Sequence, residues 1–363
     1  MIKTVAVPPQ STARLVASAL AGAWRPSPPA FGGSANDLDA VAPLLLGSGA
    51  GALGWWKIRH TELRDAPAAQ ELRQAYRLHT LQSALHERRI EQVFKLLGES
   101  GVDAVLVKGL AASRLYPEAG LRPFGDIDVC VRPEQFAVAA AVLSGPRGQE
   151  FSVDLHRGFE DAAGRGDDEL FARAEVLRVG GVDVPVLCPE DHLRLLCVHL
   201  LRHGAWRPLW LCDVAAAVEH RPEGFDWSRL LRGDGRRARW VTCAVGLAHE
   251  LLGARIQDTP FERESRRLPR WLVPEVMKSW ETPYTHLQTP MRHRAPMTHY
   301  LRRPRGVLKD LANRWPNPIE ATIRLGGPFN ELPRLPFQVG NVLVRTARFV
   351  SGLSAGARGE RRS

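Results

Sequence analysis

The pattern of apolar and polar positions changes period several times along the chain, and each change marks an element boundary. Residues 1–100 carry a helical period in pieces: 11–24 reads as a short helix, and 68–100 as a long one. In the long stretch Leu72, Tyr76, Leu85, Val93, Phe94 and Leu97 outline an apolar side, and Gly98 and Gly101 end it. Pro26, Pro28, Pro29 and the glycines between 47 and 54 break the rest. From 101 the runs shorten. Asp103-Ala-Val-Leu-Val107 is a buried-strand pattern, and Lys108-Gly109 leads into a helical run over 110–116. Asp126-Ile-Asp-Val-Cys-Val131 predicts a second strand, 133–143 a helix and 151–156 a third strand. A hairpin around Gly180-Gly181 is predicted over 175–187. The period becomes helical again from Pro189, with helices over 190–203, 208–220, from Trp227 behind an Asp226 cap, and over 240–252.

These runs predict an α+β protein in four parts. They are an N-terminal helical region (1–100), a small α/β module (101–188), a helical domain (189–285) and a Pro- and Arg-rich C-terminal segment (286–363). The five cysteines, Cys130, Cys188, Cys197, Cys212 and Cys243, are scattered with no Cys-x-x-Cys pair. That argues against a disulfide scaffold or zinc ribbon and for a reducing, cytoplasmic setting. The longest uncharged run, 40–56, contains Pro43 and four glycines, so no membrane span is expected; nor is a secretion signal.

Charge refines the division. Of the net +10, all lies beyond residue 290, where 14 Arg and Lys face 4 Asp and Glu; 35 of each precede it. The C-terminal segment could meet phosphates, an acidic membrane surface or an acidic partner, or be a solvated tail. Removing it near Pro290 is expected to spare any site in the neutral body of the chain, unless Trp315, Phe329, Leu335 and Phe337 pack back on the helices.

The candidate chemistry sits in the α/β module. On the second strand Asp126 and Asp128 alternate with Ile127 and Val129, so both carboxylates project to one side. Two carboxylates together repel unless a cation joins them, so neutralising one should leave the ion-free fold as stable or more so. Oxygen ligands of this kind suit Mg²⁺. Asp154 repeats the theme on the third strand, and three converging carboxylates can hold two Mg²⁺ ions for in-line displacement at phosphorus. Taken alone, Asp-x-Asp also fits two aspartates at an exposed strand edge. Upstream, Lys108-Gly109 offers backbone N–H groups, a point charge and room for phosphate. Arg122, in the loop before the metal strand, could bind a phosphate oxygen, or pair with Glu118. His156 could orient an acceptor. His199 and His203 lie one helical turn apart but lack a third ligand, so a buried His199 bonded to Asp213 is expected rather than zinc. The tryptophans at 206, 210, 227 and 240 are read as core.

Val107-Lys-Gly-Leu110, Leu115-Tyr-Pro117, Leu121-Arg-Pro-Phe-Gly-Asp-Ile-Asp-Val129 and Val153-Asp-Leu-His156 together resemble a bacterial family of uncharacterised nucleotidyltransferases. That family lies in the DNA polymerase β-like superfamily. Pro189-Glu-Asp-His-Leu193, His199, His203 and Trp210-Leu-Cys-Asp213 extend the resemblance, which covers about 68–255. The wider superfamily has Gly-Ser where this chain has Lys108-Gly109, which leaves the mode of triphosphate binding open. The resemblance implies a polymerase-β-like module and an Mg²⁺-dependent transfer of NMP from an NTP to an acceptor hydroxyl, with pyrophosphate released. It implies Asp126, Asp128 and Asp154 as metal ligands and catalytic groups, and Lys108, Gly109 and Arg122 at the nucleotide. The partners expected are an NTP and an unidentified acceptor: a small molecule, sugar, peptide or protein. Two rivals stand beside this reading: a non-catalytic interaction protein on a decayed transferase fold, and a basic nucleic-acid-binding protein. All three carboxylates being present opposes the first, and the lack of a base-reading motif opposes the second, so nucleic acid is not the partner expected.

Overall fold

The computed structural model describes residues 11–159, 165–264, 267–281 and 315–359, with side chains to 347. Helices α1 (Thr12–Leu20), α2 (Ala35–Gly47) and α3 (Gly51–Ile58) precede the 33-residue α4 (Pro67–Glu99). The uncharged run 40–56 is thus two short helices with buried inner faces, and no helix among the described residues is long and apolar enough to cross a membrane.

A five-stranded mixed sheet follows. Its strands are β1 (Ala104–Leu106), β2 (Ile127–Val131), β3 (Val153–Arg157), β4 (Glu175–Val179) and β5 (Val182–Val186), in the spatial order β3-β2-β1-β5-β4. β1 runs antiparallel to β2 and parallel to β5, while β2 and β3 are parallel. Short α5 (Gly109–Ser113) links β1 to the loop before β2, and α6 (Phe136–Ser144) links β2 to β3. Each strand lies within a residue or two of its predicted position, and Gly180 turns the β4–β5 hairpin with a left-handed φ of 55°. α6 starts at Phe136 rather than at Pro133, after a turn. Residues 160–164 lie outside the description, and α7 (Asp167–Ala172) follows them.

The two faces of the sheet are different. Ile127, Val129 and Val131 of β2 join Ala104 and Leu106 of β1 against Ile90, Val93, Phe94 and Leu97 of α4. On the other face Val105, Val107 and Cys130 meet Phe159, Leu170, Leu187 and Leu195. The period of two in the strands thus puts the apolar set under α4 and the polar set over a cleft.

The C-terminal helices are α8 (Pro189–Arg202), α9 (Pro208–Glu219), α10 (Trp227–Leu231), α11 (Gly235–Leu252), α12 (Phe261–Glu264) and α13 (Leu272–Trp280). α11 begins five residues before the expected start at 240, because Asp234 caps it by accepting from the Arg236 N–H. These helices and the N-terminal ones share one core, in which Val16, Leu20, Leu45 and Leu72 meet Leu200, Leu209, Val214 and Val245. Arg25 ties the two sets through Glu219 on α9 at 2.6 Å. α4 joins both cores. Between its packed ends it lies open, so Leu78, Leu81 and Leu85 are exposed, and Leu85 does not belong to the apolar side inferred for it.

Residues 282–314, which include Pro290 and much of the basic stretch, lie outside the description. Beyond them a helix over Pro318–Arg324, capped by Asn317, buries Ile319 and Ile323 in the helical core, with Phe329 against Trp271. A final helix runs over Leu335–Gly359.

Candidate active site

A cleft of about 700 Å³ opens between the polar face of the sheet and helices α4, α8 and α9. Lys108, Gly109, Arg122, Asp126, Asp128, Asp154 and His156 all line it. Register brings the central groups together: in the parallel β2–β3 pair Asp128 faces Asp154 and Cys130 faces His156. All four side chains therefore share one face. Ligand atoms of Asp128, Asp154 and His156 lie within 4.8 Å of one another, a fit to a cation held by hard oxygens with one imidazole; no other such group occurs among the described residues.

Asp126 is outside this group. β2 begins at Ile127, so Asp126 sits in the approach to the strand, exposed at the cleft rim. Of the three carboxylates expected to converge, Asp128 and Asp154 meet across β2 and β3, while Asp126 lines the same cleft from its rim.

Asp128 carries the densest electrostatics. Its Oδ1 lies 3.0 Å from Lys108 Nζ and 3.1 Å from His156 Nε2, and His156 Nε2 is 3.3 Å from Asp154 Oδ2. Burial alone would raise the Asp128 carboxyl, but the His156 hydrogen bond and the Lys108 charge hold it below the usual carboxylate range. The hydrogen bond to Asp128 raises His156 against the opposing effect of burial, and Asp154 adds to the rise. The repulsion expected of paired carboxylates is thus already answered by the Lys108 ammonium and the His156 hydrogen bond.

Lys108 reaches this position from an uncommon backbone. Its φ is 55° and ψ −127°, followed by φ 23° at Gly109, so the chain turns sharply out of β1. Glycine adopts the first conformation freely and a residue with a Cβ does not. The Val107 N–H donates to Asp128 O at 3.0 Å, fixing the turn beside the carboxylate strand. α5 has only five residues, so its dipole is small, and the turn's N–H groups and the ammonium are what it offers a phosphate.

Arg122 is committed elsewhere. Its guanidinium donates to both oxygens of Asp213 on α9, with Nη2 2.8 Å from Oδ2, and the Tyr116 hydroxyl donates to Asp213 Oδ1 at 2.8 Å. This buried triad fastens the loop before β2 to the helical side. The alternative partner, Glu118, pairs with Arg59, and Asp213 takes Arg122 and Tyr116 where His199 was expected. His192 lies fully buried near the same pair, and burial lowers its pKa to about 4.

The far wall was not legible as a site. It consists of His79 and Gln82 from α4, His199, Arg202 and His203 near the end of α8, then Arg207 and Trp210. Trp210, read as core, is half-buried here, with the rings of His199, His203 and Trp206 4.7–5.5 Å away. Arg207 donates to Ser48 O, and burial lowers its pKa to about 10. Nothing in the spacing of these residues links a helix at 79 to one at 207; only the fold does.

The profile of a family described as an uncharacterised nucleotidyltransferase matches residues 52–148 and 144–253, more than half of the chain. The chain belongs to this family of uncharacterised nucleotidyltransferases. No curated protein and no solved structure matches it.

Proposed function

We propose that the protein is a divalent-metal-dependent nucleotidyltransferase that moves an NMP from an NTP to an acceptor hydroxyl and releases pyrophosphate. The observation that carries this reading is the register of Asp128 against Asp154 beside the Lys108-Gly109 turn, in one cleft. Asp128 and Asp154, with Asp126 at the rim, would hold Mg²⁺, two ions in this reading. Bound there, the ions would offset the charge of the triphosphate and of the leaving pyrophosphate.

The chain's own groups have separable tasks. The N–H groups of the Lys108-Gly109 turn and the Lys108 ammonium bind phosphate oxygens. Asp154 is the more exposed carboxylate, 57% against 9% for Asp128, and so faces the acceptor and takes its hydroxyl proton. His156, within hydrogen-bond reach of both carboxylates, orients the acceptor. Arg122 serves by holding the loop that carries Asp126, and only borders the nucleotide. Arg202, Arg207 and Trp210 give the far wall cations and a ring face for the remainder of the substrates. A polymerase-β-like module agrees with the strand–turn–helix–strand order up to Asp128 and the return to Asp154. The cleft volume falls in the range of small-molecule sites.

Incubating the protein with each α-labelled NTP, Mg²⁺ and a cell lysate tests the activity. Label on an acceptor, lost with EDTA and lost in Asp154→Asn, is expected. Label insensitive to both would mean that the transfer does not use this site.

A further inference from the structure

Lys108 is the one ammonium at the carboxylate pair, and it is placed there at a cost. Its side chain is 13% exposed and that of Asp128 9%, so the 3.0 Å pair is shielded from water. The backbone at φ 55° is one that favours glycine, yet the chain keeps a lysine. The oxygen it touches, Asp128 Oδ1, is also the one that His156 touches, at the centre of the only three-ligand group among the described residues. A divalent ion on that oxygen would sit against the ammonium, and like charges at such range repel. The lysine stem is flexible, and an ammonium has no fixed donor geometry, so it can leave Asp128 without moving the turn. The phosphates of a nucleotide held at Lys108-Gly109 would lie on the same side.

We propose that Lys108 is the internal counter-ion of the carboxylate site and leaves Asp128 only when a divalent ion and a triphosphate enter together, its ammonium then passing to a phosphate. The proposal rests on the nucleotidyltransferase reading and deepens it. The ion-free protein keeps Asp128 neutralised, so the ion alone binds poorly against a resident cation. The ion–nucleotide complex supplies both a replacement charge for Asp128 and a new partner for Lys108. The site therefore selects the metal–triphosphate as one ligand.

The test is Mn²⁺ binding, followed by electron paramagnetic resonance and calorimetry, in wild type, Lys108→Gly and Lys108→Met. Lys108→Gly removes ammonium and left-handed strain together; Lys108→Met keeps the bulk, and either folded variant decides the matter. Mn²⁺ alone should bind about 5-fold or more tighter in the variants, while Mn²⁺ with a non-hydrolysable NTP analogue binds about 10-fold weaker, within the usual span of site coupling. A lysine that merely props Asp128 predicts the opposite, and Mn²⁺ binding unchanged or weakened in the variants overturns the proposal. Equal Mn²⁺–nucleotide affinity in all three proteins overturns it as well, but leaves the transferase reading standing. If no protein binds Mn²⁺ with or without nucleotide, that reading falls too.

Discussion

Replacing Asp128 with Asn probes the site before any ligand enters it. If repulsion between carboxylates governed the ion-free protein, the variant would melt at or above wild type. The structure reverses the sign, because Asp128 is the partner of both Lys108 and His156. Asparagine keeps an acceptor but no charge, and takes the Asp128 charge away from a largely buried ammonium. Breaking a fully buried pair costs about 3–5 kcal/mol, and the retained acceptor and water at the half-buried His156 reduce this to about 2 kcal/mol. For a protein of this size that is a fall of about 3 °C in melting temperature. The assay is thermal unfolding in EDTA, from pH 7 downward. The Asp128 carboxyl is held below its ordinary value, so its contribution is complete above about pH 4 and is lost as pH falls through the folded value. The gap between wild type and variant should close in acid. A variant that melts at or above wild type at pH 7 would mean that Lys108 and His156 do not stabilise the fold through Asp128.

Other expectations follow from single contacts. His192, lowered to about 4 by burial, stays neutral in the fold while the unfolded chain gains a proton below about pH 6.5; stability should fall by about 3 kcal/mol between those values and level off below, and an unchanged pH slope in His192→Gln would exclude this residue as the source. Arg122→Met strands Asp213 in the interior and should cost about 3–5 kcal/mol, read by denaturant unfolding; a variant that only weakens nucleotide binding would return Arg122 to the substrate. Truncation near Pro290 removes Ile319, Ile323 and Phe329 from the shared core and should give insoluble protein, whereas ending the chain after residue 347 should leave a folded one; soluble, folded protein from the first truncation would contradict the packing.

Much of the local structure was written in the sequence. The alternation in Asp126-Ile-Asp-Val-Cys-Val131 placed β2 and its apolar face, and Gly180-Gly181 marked the hairpin. What escaped depended on partners far along the chain. The Arg122–Asp213 pair spans 91 residues, so a nearby Glu118 or a phosphate looked equally suitable. Asp126 and Asp128 share a periodicity and Asp154 was expected beside them, but the strand starts one residue after Asp126, which sits at the cleft rim. The Lys108–Asp128 contact depends on a left-handed backbone that residue type argues against. Of the C-terminal apolar residues named for packing back, Phe329 is buried while Trp315 and Leu335 stay exposed, a difference that composition does not carry.

In the proposed function this cleft binds a nucleoside triphosphate through a divalent ion on the paired carboxylates. Calorimetric titration of each NTP into the full chain, with Mg²⁺ and then with EDTA, tests it most directly. Binding in Mg²⁺ is expected, weakened about 10-fold or more by EDTA or by Asp154→Asn. Equal affinity with and without the metal, or no NTP bound in either condition, would contradict it.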